Sequence, residues 1–357
     1  MSSSRIAILK QSAIGAGFRM FRSTGAHRVA ARWTGGRGAI LMFHRVRPWT
    51  GGAFAPNRLL EITPEFLAET IETLLAQGFD ILPLDAALAR ISQGGGAAAK
   101  RFAVLTFDDG YRDNLEFALP VLQRYRAPFT VYVAPGFADR TVGLWWVELE
   151  EAVRRGGGRL DIGGRSFSLS DSNDSEKTES FNSLYWLLRA LPEHEMRAAI
   201  RTLAEQARVD WCALVADACL GWEGLAELAA DPLCTIGAHT MTHPMLAKLP
   251  EAEMRAEIAE SRDAIERRLG VRPRHFAYPV GDPGSAGPRE FAVAAELGFA
   301  SAVTTRPGMV FAEHAESLTA LPRLSVNGNW QDRSALEVLL SGAPFALWNR
   351  GRKVNAA

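Results

Sequence analysis

Short apolar runs punctuate the chain at 38–46, 79–84, 102–107, 128–134, 233–238, 274–279, 299–305 and 321–326. Each has the length and bounding turns of a strand buried on both faces. Helical patterns alternate with most of them. In "TPEFLAETIETLLAQG", Thr63 can cap, Pro64 takes the first helical position, and Leu67, Ile71, Leu74 and Leu75 form one face before Gly78. "PEAEMRAEIAESRDAIERRLG" and "PREFAVAAELG" repeat the pattern. Strands alternating with helices predict a parallel α/β sheet, and about eight strands predict a closed or nearly closed barrel. Residues 138–221 break the rhythm with a polar loop, "SLSDSNDSEK", and further helical segments. They read as a mostly helical insertion at the barrel rim. The expected division is a tail over 1–36, a barrel over 37–345 interrupted by this insertion, and a C-terminal tail over 346–357.

The chain has 357 residues, 47% of them apolar, which suffices for a sizeable core. Net charge is zero, so no global field argues for nucleic acid. The charge is uneven, however. Residues 1–60 hold no Asp or Glu but include Arg5, Lys10, Arg19, Arg22, Arg28, Arg32 and Arg37. Ile6, Leu9, Ala13, Ala16 and Met20 fall at helical spacing within this stretch. Two readings fit it equally: contact with an anionic membrane surface, or a poorly ordered tail. Lys10, Arg19 and Arg22 interrupt it too often for a membrane span, and no secretory cleavage pattern is visible. Cys212, Cys219 and Cys234 lack CxxC spacing and suit a reduced compartment. The expected location is the cytoplasm, at or near the inner face of a membrane.

The chemistry begins at "TFDDG". Asp108 and Asp109 stand side by side where a strand leaves the core, an arrangement that costs free energy unless a positive group lies beside them. "HTMTH" supplies one answer. His239 and His243, four apart, place both rings on one face if the segment is a helical turn, close enough to share a metal ion. Either motif alone is weak, since Asp-Gly is a common turn and paired surface histidines are frequent. Both, however, fall at the C-terminal end of a predicted barrel strand, where barrel active sites lie. Asp109, His239 and His243 then form a three-ligand site with an open position for water.

With these motifs in this order, the sequence resembles the polysaccharide deacetylases, the NodB-homology family that removes acetyl groups from sugar polymers. The likeness runs from about Ala39 to about Trp330. It implies a distorted (β/α) barrel and one divalent metal, zinc foremost, with nickel or cobalt as substitutes. It also implies Asp108 as general base, Asp109, His239 and His243 as ligands, and the backbone N–H of Tyr111 as an oxyanion donor. The activity implied is hydrolytic deacetylation of N-acetylhexosamine units in an exopolysaccharide, capsule or adhesin precursor. The alternatives are hydrolysis of non-sugar amides on the same fold and a catalytically weak glycan-binding protein.

Two departures qualify the likeness. The family's third motif reads like RPPYG, its Arg steadying the base, whereas here the stretch is "HFAYPVG". Ala277 and Tyr278 replace Arg and the first Pro, and Tyr278 and Pro279 are read as substrate-binding. Arg323, in "LPRLSV", is a candidate replacement for the missing Arg. No late histidine is available as acid. "ILMFHRV" instead resembles the opening strand of the poly-N-acetylglucosamine deacetylase branch, which makes His44 the candidate acid. His275 reads as core, and His27, His194 and His314 carry no assignment. Trp145 and Trp146, in "GLWWVELEE", either stack on sugar rings or anchor the insertion.

Overall fold

A computed structural model describes residues 14–92, 100–162, 164–169 and 173–356. Ile6, Leu9 and Ala13 of the expected amphipathic segment, with Arg5 and Lys10, lie outside the described residues. Seven parallel strands form the barrel: β1 (Gly38–Phe43), β2 (Phe102–Phe107), β3 (Phe129–Val133), β4 (Cys234–Ala238), β5 (His275–Ala277), β6 (Ser301–Pro307) and β7 (Leu321–Ser325). Each pairs with the next in sequence, and β7 pairs back to β1, with Leu41 opposite Leu324. The ring therefore closes with seven strands. The run at 79–84 contributes only Asp80–Ile81, which pairs with the start of β2 outside the ring.

Alternation along the strands explains the layers. Ile40, Val104, Tyr132, Ala277, Val303 and Leu321 meet inside the barrel, with Leu84, Leu88 and Ile91 of helix Leu84–Ser92. Their neighbours Leu41, Leu105, Val131, Phe276 and Leu324 face outward into the layer under the surrounding helices. Full burial of each such side chain is worth about 1.5–3 kcal/mol. Because side chains alternate, positions two beyond an inward residue also face inward. That rule carries the inward set from Val104 through Thr106 to Asp108, and from Leu321 to Arg323.

Between β3 and β4 the chain leaves the barrel. Helices Trp145–Arg155, Asp174–Ala190, Glu193–Gln206 and Trp211–Ala218 pack around their own apolar cluster, which includes Trp145, Trp146, Leu184 and Ile200. An antiparallel hairpin, Arg159–Ile162 with Arg165–Ser168, accompanies them. Residues 14–23 and Ala26–Thr34 are helical, and Ala343–Trp348 forms a final helix. Among the described residues no helix is long and apolar enough to cross a membrane.

Candidate active site

The chemistry-bearing residues gather where the strands end. His44 follows β1, Asp108 follows β2, and His239 follows β4. The backbone fixes their height: the Asp108 N–H donates to Phe43 O (3.0 Å) and the His239 N–H to Val133 O (2.9 Å). Asp109 and His243 adopt left-handed φ values of 73° and 59°, and Thr240 and Val280 beside them do likewise. Non-glycine residues in that region cost free energy, so the surrounding bonds must hold them there. Thr240 supplies two: its hydroxyl donates to His239 O (2.6 Å) and accepts from the His243 N–H (3.0 Å). The segment 239–243 is consequently a loop, and the helical turn expected for His239 and His243 does not form. Two left-handed residues bring the rings together instead, with centroids 4.8 Å apart.

Asp109 Oδ1 lies 3.5 Å from His239 Nε2 and 3.3 Å from His243 Nε2. All three residues are buried, and their ligand atoms lie within 4.8 Å of one another. His239 Nδ1 is fixed by Ala277 O at 2.7 Å, which aims Nε2 at Asp109, as in metal-ligating histidines. Asp109 Oδ1 is buried without a hydrogen-bond partner. Such an oxygen facing two imidazole nitrogens fits a divalent cation in the space between them. Burial opposes ionisation of Asp109, but its contacts with His239 and His243 hold the carboxyl far below its ordinary range.

Asp108 has a different partner. Arg323 donates from both terminal nitrogens to its two oxygens, each at 2.7 Å, and donates from Nε to Thr304 O at 2.8 Å. Burial would raise the Asp108 carboxyl, but the Arg323 charge and hydrogen bonds keep it below its usual value. His44 Nε2 stands 3.9 Å from Asp108 Oδ2. Burial lowers the His44 imidazole, against the pull of Asp108 and Asp109.

Above these groups opens a cleft of about 420 Å³ that reaches Asp108, Asp109, His44, His239 and His243. Trp145 and Trp146 line it while remaining buried in the insertion core. The Trp146 ring packs 4.9 Å from that of His243 and donates its N–H to the Tyr111 hydroxyl (3.1 Å). Tyr111 itself is fully buried beneath the site.

Tyr278 must be corrected. Ala277 faces the barrel interior, so Tyr278, next in line, faces outward. Its ring packs against Phe276 and Phe291, and its hydroxyl donates to Thr319 O at 2.8 Å. It is a core residue and does not line the cleft. Pro279 is buried as well, and Val280 and Asp282 are the residues of that turn that reach the cleft. His275 sits at the start of β5, away from the site, with Nδ1 2.9 Å from Ser301 Oγ and Nε2 3.4 Å from Asp85.

Further residues of the cleft wall come from the insertion and were not foreseen. Phe181, Tyr185, Trp186 and Arg189 of helix Asp174–Ala190 wall the cleft. Arg189 lies over the Tyr185 and Trp186 rings and pairs with Asp282 at 2.7 Å. Arg197 donates to Thr242 O (2.8 Å) and His243 O (3.0 Å), bracing the histidine loop from the side. The aromatic pair Tyr185–Trp186 in a helical pattern was the available signal.

A buried Asp-His-His cluster at the mouth of a parallel barrel, next to a tethered second carboxylate, is a donor set that could hold a divalent metal. The chain belongs to the polysaccharide deacetylase family, whose model matches residues 95–186 and 174–302, more than half of the sequence. It is similar in fold to three solved structures. A Streptococcus pyogenes deacetylase, PplD, solved with acetate, is 18% identical (TM-score 0.56, 84% of this chain and 96% of that one). IcaB from Ammonifex degensii is 19% identical (TM-score 0.51, 85% and 98%). A de-N-acetylase from Aggregatibacter actinomycetemcomitans is 12% identical (TM-score 0.52, 84% and 98%). No sequence among the curated proteins matches the chain.

Proposed function

We propose that this polysaccharide deacetylase removes N-acetyl groups from N-acetylhexosamine units of an exopolysaccharide, capsule or adhesin precursor. Asp109, His239 and His243 would hold the metal, for which zinc suits the nitrogen and oxygen donor set. When bound, such an ion supplies Lewis acidity and brings the pKa of a water from about 15.7 toward 7. Asp108, kept anionic by Arg323, accepts the proton of the attacking water. The Tyr111 N–H donates to the developing oxyanion. His44 protonates the departing amine. The sugar chain lies against the aromatic wall of Trp145, Trp146, Tyr185 and Trp186.

One observation carries this reading: the bidentate Arg323–Asp108 pair. It supplies from β7 a tether of the kind the third motif lacks, which supports the hydrolase over the weak-binder alternative. Cys212, Cys219 and Cys234 are unpaired, which supports the cytoplasmic placement proposed for the enzyme. The test is acetate release by the purified, zinc-loaded chain from acetylated chitooligosaccharides and poly-N-acetylglucosamine. Acetate from a simple acetamide but from no glycan would favour the non-sugar amidase.

A further inference from the structure

Residues 1–60 and 338–357 contain no Asp or Glu. The fold brings a helix from each of these segments together. Helix Ala26–Thr34 lies beside helix Ala343–Trp348, with the Thr34 hydroxyl donating to Ser341 O at 2.7 Å. Trp33 shares a small cavity with Phe345, Ala346 and Arg352. On these two neighbouring helices Trp33 is 71% exposed, Leu347 82% and Trp348 76%. Val29, one turn before Trp33, is also exposed. Arg28, Arg32, Arg350 and Arg352 surround them, all exposed. Acids bordering the face are already paired: Glu313 with Lys353 at 2.6 Å, and Glu337 with Arg22 at 2.6 Å and Arg333 at 3.1 Å.

We infer that this two-helix face docks on an anionic lipid surface. Soluble proteins rarely leave large apolar side chains so exposed in one cluster without a partner. The charge identifies the partner. A second copy of the chain would set one basic face against another, so self-association is disfavoured. Nucleic acid would match the charge but leave Val29 and Leu347 uncovered. Anionic lipid satisfies both: guanidinium groups meet the headgroups, indoles sit at the interface, and Leu347 reaches the acyl boundary. Orientation follows from topology. Helix Ala26–Thr34 enters β1 at its N-terminal end, whereas the site residues follow the C-terminal ends of their strands. Docking by this face leaves the cleft turned away from the bilayer, toward a glycan that stands off from the surface.

The test is co-sedimentation of the full chain with vesicles of phosphatidylcholine alone or with one-third phosphatidylglycerol, at low and high salt. The anionic vesicles should retain the wild type and release it in high salt. The triple variant Trp33→Ser, Leu347→Ser, Trp348→Ser should bind at least about tenfold more weakly, with an unchanged circular dichroism spectrum and unchanged acetate release. Three outcomes overturn the inference: wild type left in the supernatant with both vesicle types, equal binding by the triple variant, or a wild-type dimer that the same substitutions convert to a monomer. Retention of duplex DNA in place of vesicles overturns it as well.

Discussion

Arg323 and Asp108, 215 positions apart in sequence, meet through two parallel hydrogen bonds of 2.7 Å inside the barrel mouth. Arg323 is buried and also bonds Thr304 O and Thr106 Oγ1, so its fork is fixed before substrate arrives. A lysine keeps the charge but cannot reproduce the planar fork. Arg323→Lys should retain metal and lower acetate release at least about tenfold. Arg323→Met leaves Asp108 buried without its cation and should cost about 3–5 kcal/mol of stability by urea unfolding. Wild-type turnover in Arg323→Lys would show that the pair does not serve the reaction.

The two adjacent aspartates should separate in their effects. Asp109 faces His239 and His243, while Asp108 faces Arg323 and His44. Asp109→Asn should lower metal content by elemental analysis, with activity returning in excess zinc. Asp108→Asn should keep its metal and lose turnover roughly 100-fold, the scale of a general base. Equal loss of metal in both variants, restored equally by zinc, would remove the division of labour.

Much of this site was readable because it lies on regular strands. Alternation places Asp108 two positions beyond Thr106 and Arg323 two beyond Leu321, both inward, and the same alternation turns Tyr278 outward. The histidine pair was legible as a pair but not as a loop, because left-handed backbone at Thr240 and His243 is set by bonds from Thr240 and by Arg197. The wall formed by Tyr185, Trp186 and Arg189 was legible only as an aromatic pair within a helical pattern. An amphipathic helix shows which face is apolar, but not that this face will close over a cleft built by residues far away in sequence.

His275 should make stability fall in acid. Burial chiefly, against the pull of Asp85, pushes its imidazole down to about 4. Between that value and the unfolded value near 6.5, the unfolded chain binds more protons. This contribution is therefore complete above about pH 6.5 and is lost as pH falls toward 4, amounting to at most about 3 kcal/mol. Urea unfolding at pH 7 and pH 4.5 should show a smaller difference for His275→Leu than for wild type. Parallel loss in the two proteins would assign the acid sensitivity to other groups.

Trp186 is 65% exposed at the cleft wall, with Arg189 over its ring. An indole held there presents a flat apolar face to the C–H face of a sugar. Trp186→Ala should raise KM for acetylated oligosaccharides about tenfold, equivalent to ~1.4 kcal/mol, and leave a monosaccharide substrate nearly unaffected. Trp186→Phe should recover part of the loss. An equal effect on both substrates would locate the defect at the reacting centre.

The proton for the leaving group is the step on which the early-histidine assignment stands. An amine leaves poorly from a tetrahedral intermediate unless it is protonated as the bond breaks. Asp108 could return the proton it took, and the preference for its anion that Arg323 imposes favours that return, so a separate acid has to be distinguished by experiment. The remaining histidines narrow the choice. His239 and His243 face Asp109, His275 lies at the far end of its strand, and His194 is exposed on the insertion. His44 lines the cleft and stands 3.9 Å from Asp108, within range of a group attacked between them. His44→Ala should keep metal and fold while amide turnover falls at least about 100-fold. An aryl acetate, whose leaving group needs no proton, should lose far less. Comparing the two substrates in one variant separates proton donation from any general damage to the site. If His44→Ala slows the ester and the amide equally, His44 acts in positioning or water activation. Wild-type amide turnover in that variant would transfer the proton to Asp108 alone.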